Sequence, residues 1–226
     1  MSYIPVHKDI APEVTRALLD LAKETEKLIR VDVALLHGYD AMHETEEMSD
    51  EAQYIANSMM FARAVDNFQT FLVDLLLIVF DEHPHSFFKK KIDISRVFEA
   101  GSIETLRREA IEREIGSLSY KNLSDLNGFV KSSTGCLLFS NNLMLSRVAH
   151  LINLRNVIVH SRGIVSTVSK DRLPHRNYVL GERVTHPSAF KAMTYLFHCG
   201  KHVDLSVTKH FTLPAGCLYI NGAKSV

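Results

Sequence analysis

The stretch Asn141-Asn142-Leu143-Met144-Leu145-Ser146-Arg147-Val148-Ala149-His150-Leu151-Ile152-Asn153-Leu154-Arg155-Asn156-Val157-Ile158-Val159-His160-Ser161-Arg162-Gly163 decides how this chain is read. At roughly 100° per residue, Leu143, Leu151, Leu154, Val157 and Ile158 share one face of a helix running from about Asn141 to Arg162. A second stripe, Leu145, Ala149, Ile152, Asn156 and Val159, has spacings of four, three, four and three, those of a helix–helix seam. A helix with two such faces is buried on both. One face serves its own bundle, and the other meets a further internal helix or a second copy of the chain. Gly163 closes the helix.

Arg155, Asn156 and His160 lie in the last turns of this apolar helix. Polar groups there are costly unless they sit at an edge or in a shared cleft. Arg155 and His160 flank the second stripe, one on each side, about 140° apart around the axis. Asn156 and His160 are one turn apart and can touch. If two copies paired along the stripe with two-fold symmetry, both sets would converge in one cleft. Arginine grips a phosphate with two donors, and imidazole ionises near neutrality and can move protons.

Working outward, the pattern is helical almost everywhere. Val14, Leu18, Leu21, Leu28 and Leu35 mark a helix over residues 11 to about 37, ended by Gly38. Ser49 or Asp50 caps a second, with Gln53 completing a capping box. Phe61, Val65, Phe68, Leu72, Leu75 and Val79 carry that helix to about Glu82, and Leu76, Leu77 and Ile78 widen its apolar arc, so it is central. Pro84 stops it. Gly101-Ser102 starts a third helix through Leu106, Ile111 and Ile115, and a shorter one runs from Asn122 or Ser124 to about Ser132, broken by Gly135. After Gly163, Ile164–Val168 and Tyr178–Val184 are β-prone and predict an extended or hairpin-like excursion. Pro187-Ser188 opens a last helix to about His210, with Thr185 or His186 near its cap, and the tail from Pro214 to Val226 either adds a short strand through Leu218-Tyr219-Ile220 or is loose.

The chain has 226 residues, of which 46% are apolar, enough for one sizeable core. The reading is of one helical domain over 1–226, its core about 11–210, without repeat or linker. The longest apolar run, Phe71 to Phe80, is ten residues, contains Asp74 and is too short to span a bilayer. No secretory leader is evident, and Cys136, Cys199 and Cys217 are an odd set without zinc-like spacing, which reads as reduced thiols in a cytoplasmic protein. Net charge is zero, against a general nucleic-acid coat protein. Yet residues 131–226 hold 12 Lys/Arg against 3 Asp/Glu, a balance of +9, and residues 1–130 hold 14 against 23, a balance of −9. The basic half contains the Arg/His helix, which suits either a polyanion ligand or the pairing of acidic and basic faces.

Arg-Asn-three residues-His, ending an apolar helix late in a helical chain and followed by Ser161-Arg162-Gly163, resembles the HEPN superfamily. The family motif is Arg, four to six residues, then His, often with a polar residue after the Arg. Arg155, Asn156 and His160 match it one by one. The long helix holding Asn67-Phe68 and Leu72, closed by Pro84, extends the likeness weakly, so that it covers residues 50–165 with only the motif specific. The resemblance implies an all-α, HEPN-like bundle that dimerises through the 141–162 helix. It implies a metal-independent endoribonuclease of a toxin–antitoxin or antiviral system, with RNA as substrate, an antitoxin or other regulatory protein as partner, and no cofactor or metal. The alternative it allows is a non-catalytic dimer that binds nucleotide, RNA or a partner protein. Arg155 and His160 would be catalytic with Asn156 assisting, Arg162 and Arg147 would bind phosphate, and the product would carry a 2′,3′-cyclic phosphate.

Blander readings stand beside these. Arg155 and His160 can simply cap the helix and bridge to acidic neighbours. His198 and His202, one turn apart around Cys199, lack a third metal ligand in register. His83-Pro84-His85 reads as a helix stop, Lys89–Lys91 more readily as a solvated surface than as a phosphate contact, and Glu44, Glu46 and Glu47 more readily as an acidic helix start than as a set of metal ligands.

Overall fold

A computed structural model describes residues 13–43, 50–83, 101–102, 105–106, 109, 123–173, 177–214 and 217–220. The fold is all-α, as the periodicity predicts. In chain order come β1 (Glu13–Thr15), α1 (Arg16–His43), α2 (Asp50–Glu82), α3 (Leu123–Thr134), α4 (Asn142–Ser161), α5 (Thr167–Lys170), α6 (Ala189–His210) and β2 (Leu218–Ile220). Among the described residues the regular β structure is one antiparallel pair, with Glu13, Val14 and Thr15 opposite Ile220, Tyr219 and Leu218.

The centre is α2, because its apolar residues cover most of its circumference. Phe61, Val65, Phe68, Leu75 and Phe80 have no exposed surface. Helices α1, α4 and α6 pack around it. Gly200 sets the α1–α6 approach: a Cβ there would stand 2.7 Å from Leu21 Cδ2. No helix among the described residues is long and apolar enough to cross a membrane.

Several element ends differ from the sequence reading, each for a local reason. Residues 13–15 are strand rather than helix because β2 supplies their backbone partners. Thr15 then starts α1, its Oγ1 accepting from Leu18 N–H at 3.2 Å. Helix α1 runs through Gly38 to His43. Where the sequence reading starts its third helix, Ser102 accepts from Thr105 N–H through Oγ and from Leu106 N–H through its carbonyl. Ile111 and Ile115, like Glu44, Glu46, Glu47, His85 and Lys89–Lys91, lie outside the described residues.

Candidate functional site on helix α4

Helix α4 is fixed at both ends. Asn141 caps it, its side chain accepting from Leu143 and Met144 N–H. At the other end the N–H groups of Arg162 and Gly163 both return to Val157 O, at 3.1 Å for Gly163. Arg162 takes a left-handed backbone (φ 52°, ψ 32°), a conformation that costs a non-glycine residue about 1 kcal/mol. Gly163 follows at φ 77°, with Tyr54 Oη only 2.6 Å from where a Cβ would be. The chain therefore turns sharply at the motif's end, against α2.

The excursion after Gly163 is stapled to the start of α2. Val184 N–H bonds Gly163 O (2.8 Å), Val165 N–H bonds Glu182 O (2.9 Å), and Ile164 bridges Arg183. This is the hairpin-like excursion read from the sequence, except that Thr167–Lys170 forms one helical turn. A reciprocal Ser166–Ser169 capping box overrides the β preference there. Tyr54 donates to Val184 O at 3.1 Å, and the Arg183 guanidinium lies 4.7 Å over its ring while pairing with both Glu51 oxygens. Ser58 Oγ and His186 Nε2 are 2.9 Å apart, and Asn57 Oδ1 accepts from Ala189 N–H. Burial lowers the His186 pKa, opposed by a hydrogen bond with the Pro187 carbonyl.

The buried side of α4 is Val148, Leu151, Leu154 and Val157. Leu143, expected among them, is 57% exposed, because it stands in the first turn before the helix meets the bundle. The second stripe is covered only in part. Leu145, Ala149 and Ile152 touch the core with one side, Asn156 is half-buried, and Val159 is 48% exposed.

The predicted site residues distribute as follows. Arg155 Nη1 donates to Asn156 Oδ1 at 3.1 Å. Arg155 Nε lies 2.7 Å from Asp66 Oδ1 on α2, an ion pair whose arginine and carboxylate are 22% and 33% exposed. That nitrogen is sealed from solvent, and the carboxylate sits off its N–H axis, so the contact is ionic rather than an aligned hydrogen bond. His160 is exposed and makes no hydrogen bond with another described residue. It stands one and a half turns beyond Arg155, on the opposite flank of the stripe. Arg162 is exposed at the helix end. Arg147 is two turns before Arg155 and close to Tyr195 of α6, whose phenol is pushed up to about 12, chiefly by burial. Arg155 and Asn156 thus come together, His160 stands across the stripe, and Arg147 lies apart from them, toward α6.

Burial raises the pKa of all three thiols, that of Cys199 to about 11, against the thiolate form. Cys199 is 1% exposed and turned into the core, whereas His198 and His202 face outward, so those three cannot share a metal. Among the described residues no group of three His, Cys, Asp or Glu side chains is placed to hold a metal ion.

Asp66 and Tyr54 escape a sequence reading. Their partners, Arg155 and Gly163, are far away in the chain, and no local spacing signals either contact. No protein-family model matches the chain, and no curated protein or solved structure is significantly similar to it.

Proposed function

We propose that the protein is a metal-independent endoribonuclease of the HEPN type, acting as a cytoplasmic homodimer through α4 in a toxin–antitoxin or antiviral defence system. The observation that carries this reading is the outward face of α4. A half-covered apolar stripe has a partly buried arginine on one edge and an unengaged histidine on the other. An apolar stripe open to solvent along a helix favours a partner. A second copy, related by a two-fold axis, would seal it and bring one protomer's Arg155 toward its mate's His160.

The chemistry follows from the side chains. A ribose 2′-OH attacks the adjacent phosphorus in line, and the P–O5′ bond breaks. One imidazole accepts the 2′-OH proton and another protonates the departing 5′ oxygen. Arg155 keeps two of its three guanidinium nitrogens beyond the Asp66 contact, enough to hold a non-bridging phosphate oxygen while charge builds on it. Asn156 fixes the plane of that guanidinium through the 3.1 Å bond. The products are a 2′,3′-cyclic phosphate and a 5′-hydroxyl, and DNA is spared because it lacks the nucleophile.

The test is digestion of varied RNAs in EDTA with the ends mapped. Cleavage leaving cyclic phosphates, abolished by His160→Ala in a folded dimer, supports the reading. A dimeric wild type that leaves every RNA intact overturns it. One observation favours a second reading, a non-catalytic module for RNA, nucleotide or an antitoxin-type partner: Asp66 already neutralises part of the Arg155 charge. Saturable binding without turnover would select it.

A further inference from the structure

We infer that Arg63 is a second phosphate-gripping arginine of the same site, holding the backbone phosphate next to the one taken by Arg155. The inference rests on the ribonuclease reading above.

Ile55, Met59, Arg63 and Asp66 recur at spacings of four, four and three, so they form one row along α2. The row faces outward: Ile55 is 48% and Met59 68% exposed, and Arg63 is exposed. Two contacts set its relation to the motif helix. Asp66 meets Arg155, and Tyr54 meets Gly163, so α2 and α4 run antiparallel. Arg63 therefore lies on the side of Asp66 nearer the α4 carboxyl end. Its Cβ is one turn from that of Asp66, about 5–6 Å away. The arginine side chain is long enough to reach the space in front of Arg155.

The charge balance is equally specific. At helical distances of three and four from Arg63 stand Met59, Met60, Asp66 and Asn67, so Asp66 is the one acid among them. Asp66 is already engaged by Arg155, and Arg63 makes no hydrogen bond or ion pair with another described residue. Two guanidinium groups thus stand near a single carboxylate that only Arg155 engages, which leaves a net positive charge on this edge of the stripe. Arg162 is exposed at the same end of α4. An arginine held unneutralised beside an exposed apolar row suits a polyanion with apolar bases. Phosphates bind the guanidinium and bases lie over Met59 and Ile55.

Binding is measured by fluorescence anisotropy with a labelled single-stranded oligoribonucleotide in EDTA, in a His160→Ala background that prevents turnover. Arg63→Ala should weaken binding about tenfold near 0.1 M salt and reduce the slope of log Kd against log salt by about 0.7, one phosphate contact. Arg63→Lys should restore much of the loss, and Lys131→Ala, an exposed cation on α3, should change nothing. With His160 intact, Arg63→Ala should raise KM about tenfold and leave kcat within about twofold. A cutting wild type whose Arg63→Ala variant keeps its KM and salt slope overturns the role of Arg63 alone. Dissociation of the dimer by Arg63→Ala assigns the residue to the protomer contact and overturns it too. A wild type that neither binds nor cuts RNA removes the ribonuclease reading and this role with it.

Discussion

Asp66 and Arg155 face each other across the α2–α4 boundary at 2.7 Å, and the arginine nitrogen involved is sealed from solvent. The pair joins the central helix to the motif helix and fixes where the guanidinium stands. Asp66→Ala strands a half-buried charge, and we expect it to cost about 1–2 kcal/mol of stability. A double-mutant cycle with Arg155→Ala, followed by urea denaturation, should return a favourable coupling. Additive losses would show that the contact contributes nothing.

Gly163→Ala should be among the more damaging single substitutions. The added Cβ meets the Tyr54 hydroxyl at 2.6 Å, and φ is +77°. A loss of about 2 kcal/mol is expected in thermal denaturation. Adding Tyr54→Phe should recover part of it by removing the obstructing oxygen, less what the lost Tyr54–Val184 hydrogen bond contributes.

The proposed dimer is tested by Val159→Glu. The side chain is 48% exposed in the protomer, so folding should be unaffected, with a melting temperature within about 2 °C of wild type. In the paired state the carboxylate would enter an apolar seam. Sedimentation should show a monomer, and RNA cleavage should fall by at least about tenfold. A dimer that persists would move the seam off this stripe.

Asp204 gives stability a pH dependence of known sign. It is 2% exposed, bonded to the hydroxyl and the N–H of Thr15, and burial pushes its pKa from 3.8 up to about 6. The folded state thus binds the proton more tightly than the unfolded state. The stabilising contribution is complete below about pH 4 and is lost as pH rises through about 6. Asp204→Asn should flatten this part of the profile and gain relative to wild type above pH 6, by at most about 3 kcal/mol. Denaturant midpoints at pH 4.5 and pH 7.5 check it.

Gly38 lies inside α1, where an added Cβ would meet nothing within 4 Å and the backbone is ordinary helix. Gly38→Ala should therefore stabilise the protein by about 0.5–1 kcal/mol, read as a raised denaturant midpoint.

What was legible from the residues divides along local and non-local lines. The Phe61–Val79 spacing identifies α2 as central because burial around most of a helix leaves a broad apolar arc in sequence. The Asn141 cap and Gly163 stop place α4 within a residue, since both act on adjacent backbone. Val14 and Thr15 read as helix because their strand partner lies at the far end of the chain. Gly38 reads as a stop, yet one exposed glycine costs too little to end a helix. Arg155, Asn156 and His160 are candidates by spacing alone. The Asp66 contact has no such signal, since only the fold brings α2 alongside. The approach of Arg147 to Tyr195 is hidden in the same way.

The zipper between β1 and β2 has a practical consequence for anyone handling this protein. Thr15 is anchored to Asp204, fifteen residues along α6 from Ala189, whereas Ala189 is held by Asn57 near the Tyr54–Gly163 corner. At 1.5 Å per residue the two poles are about 22 Å apart. A dye, an affinity handle or a surface tether attached next to Glu13 or Ile220 would hang from the far pole, leaving the arginine–histidine end open to whatever approaches it.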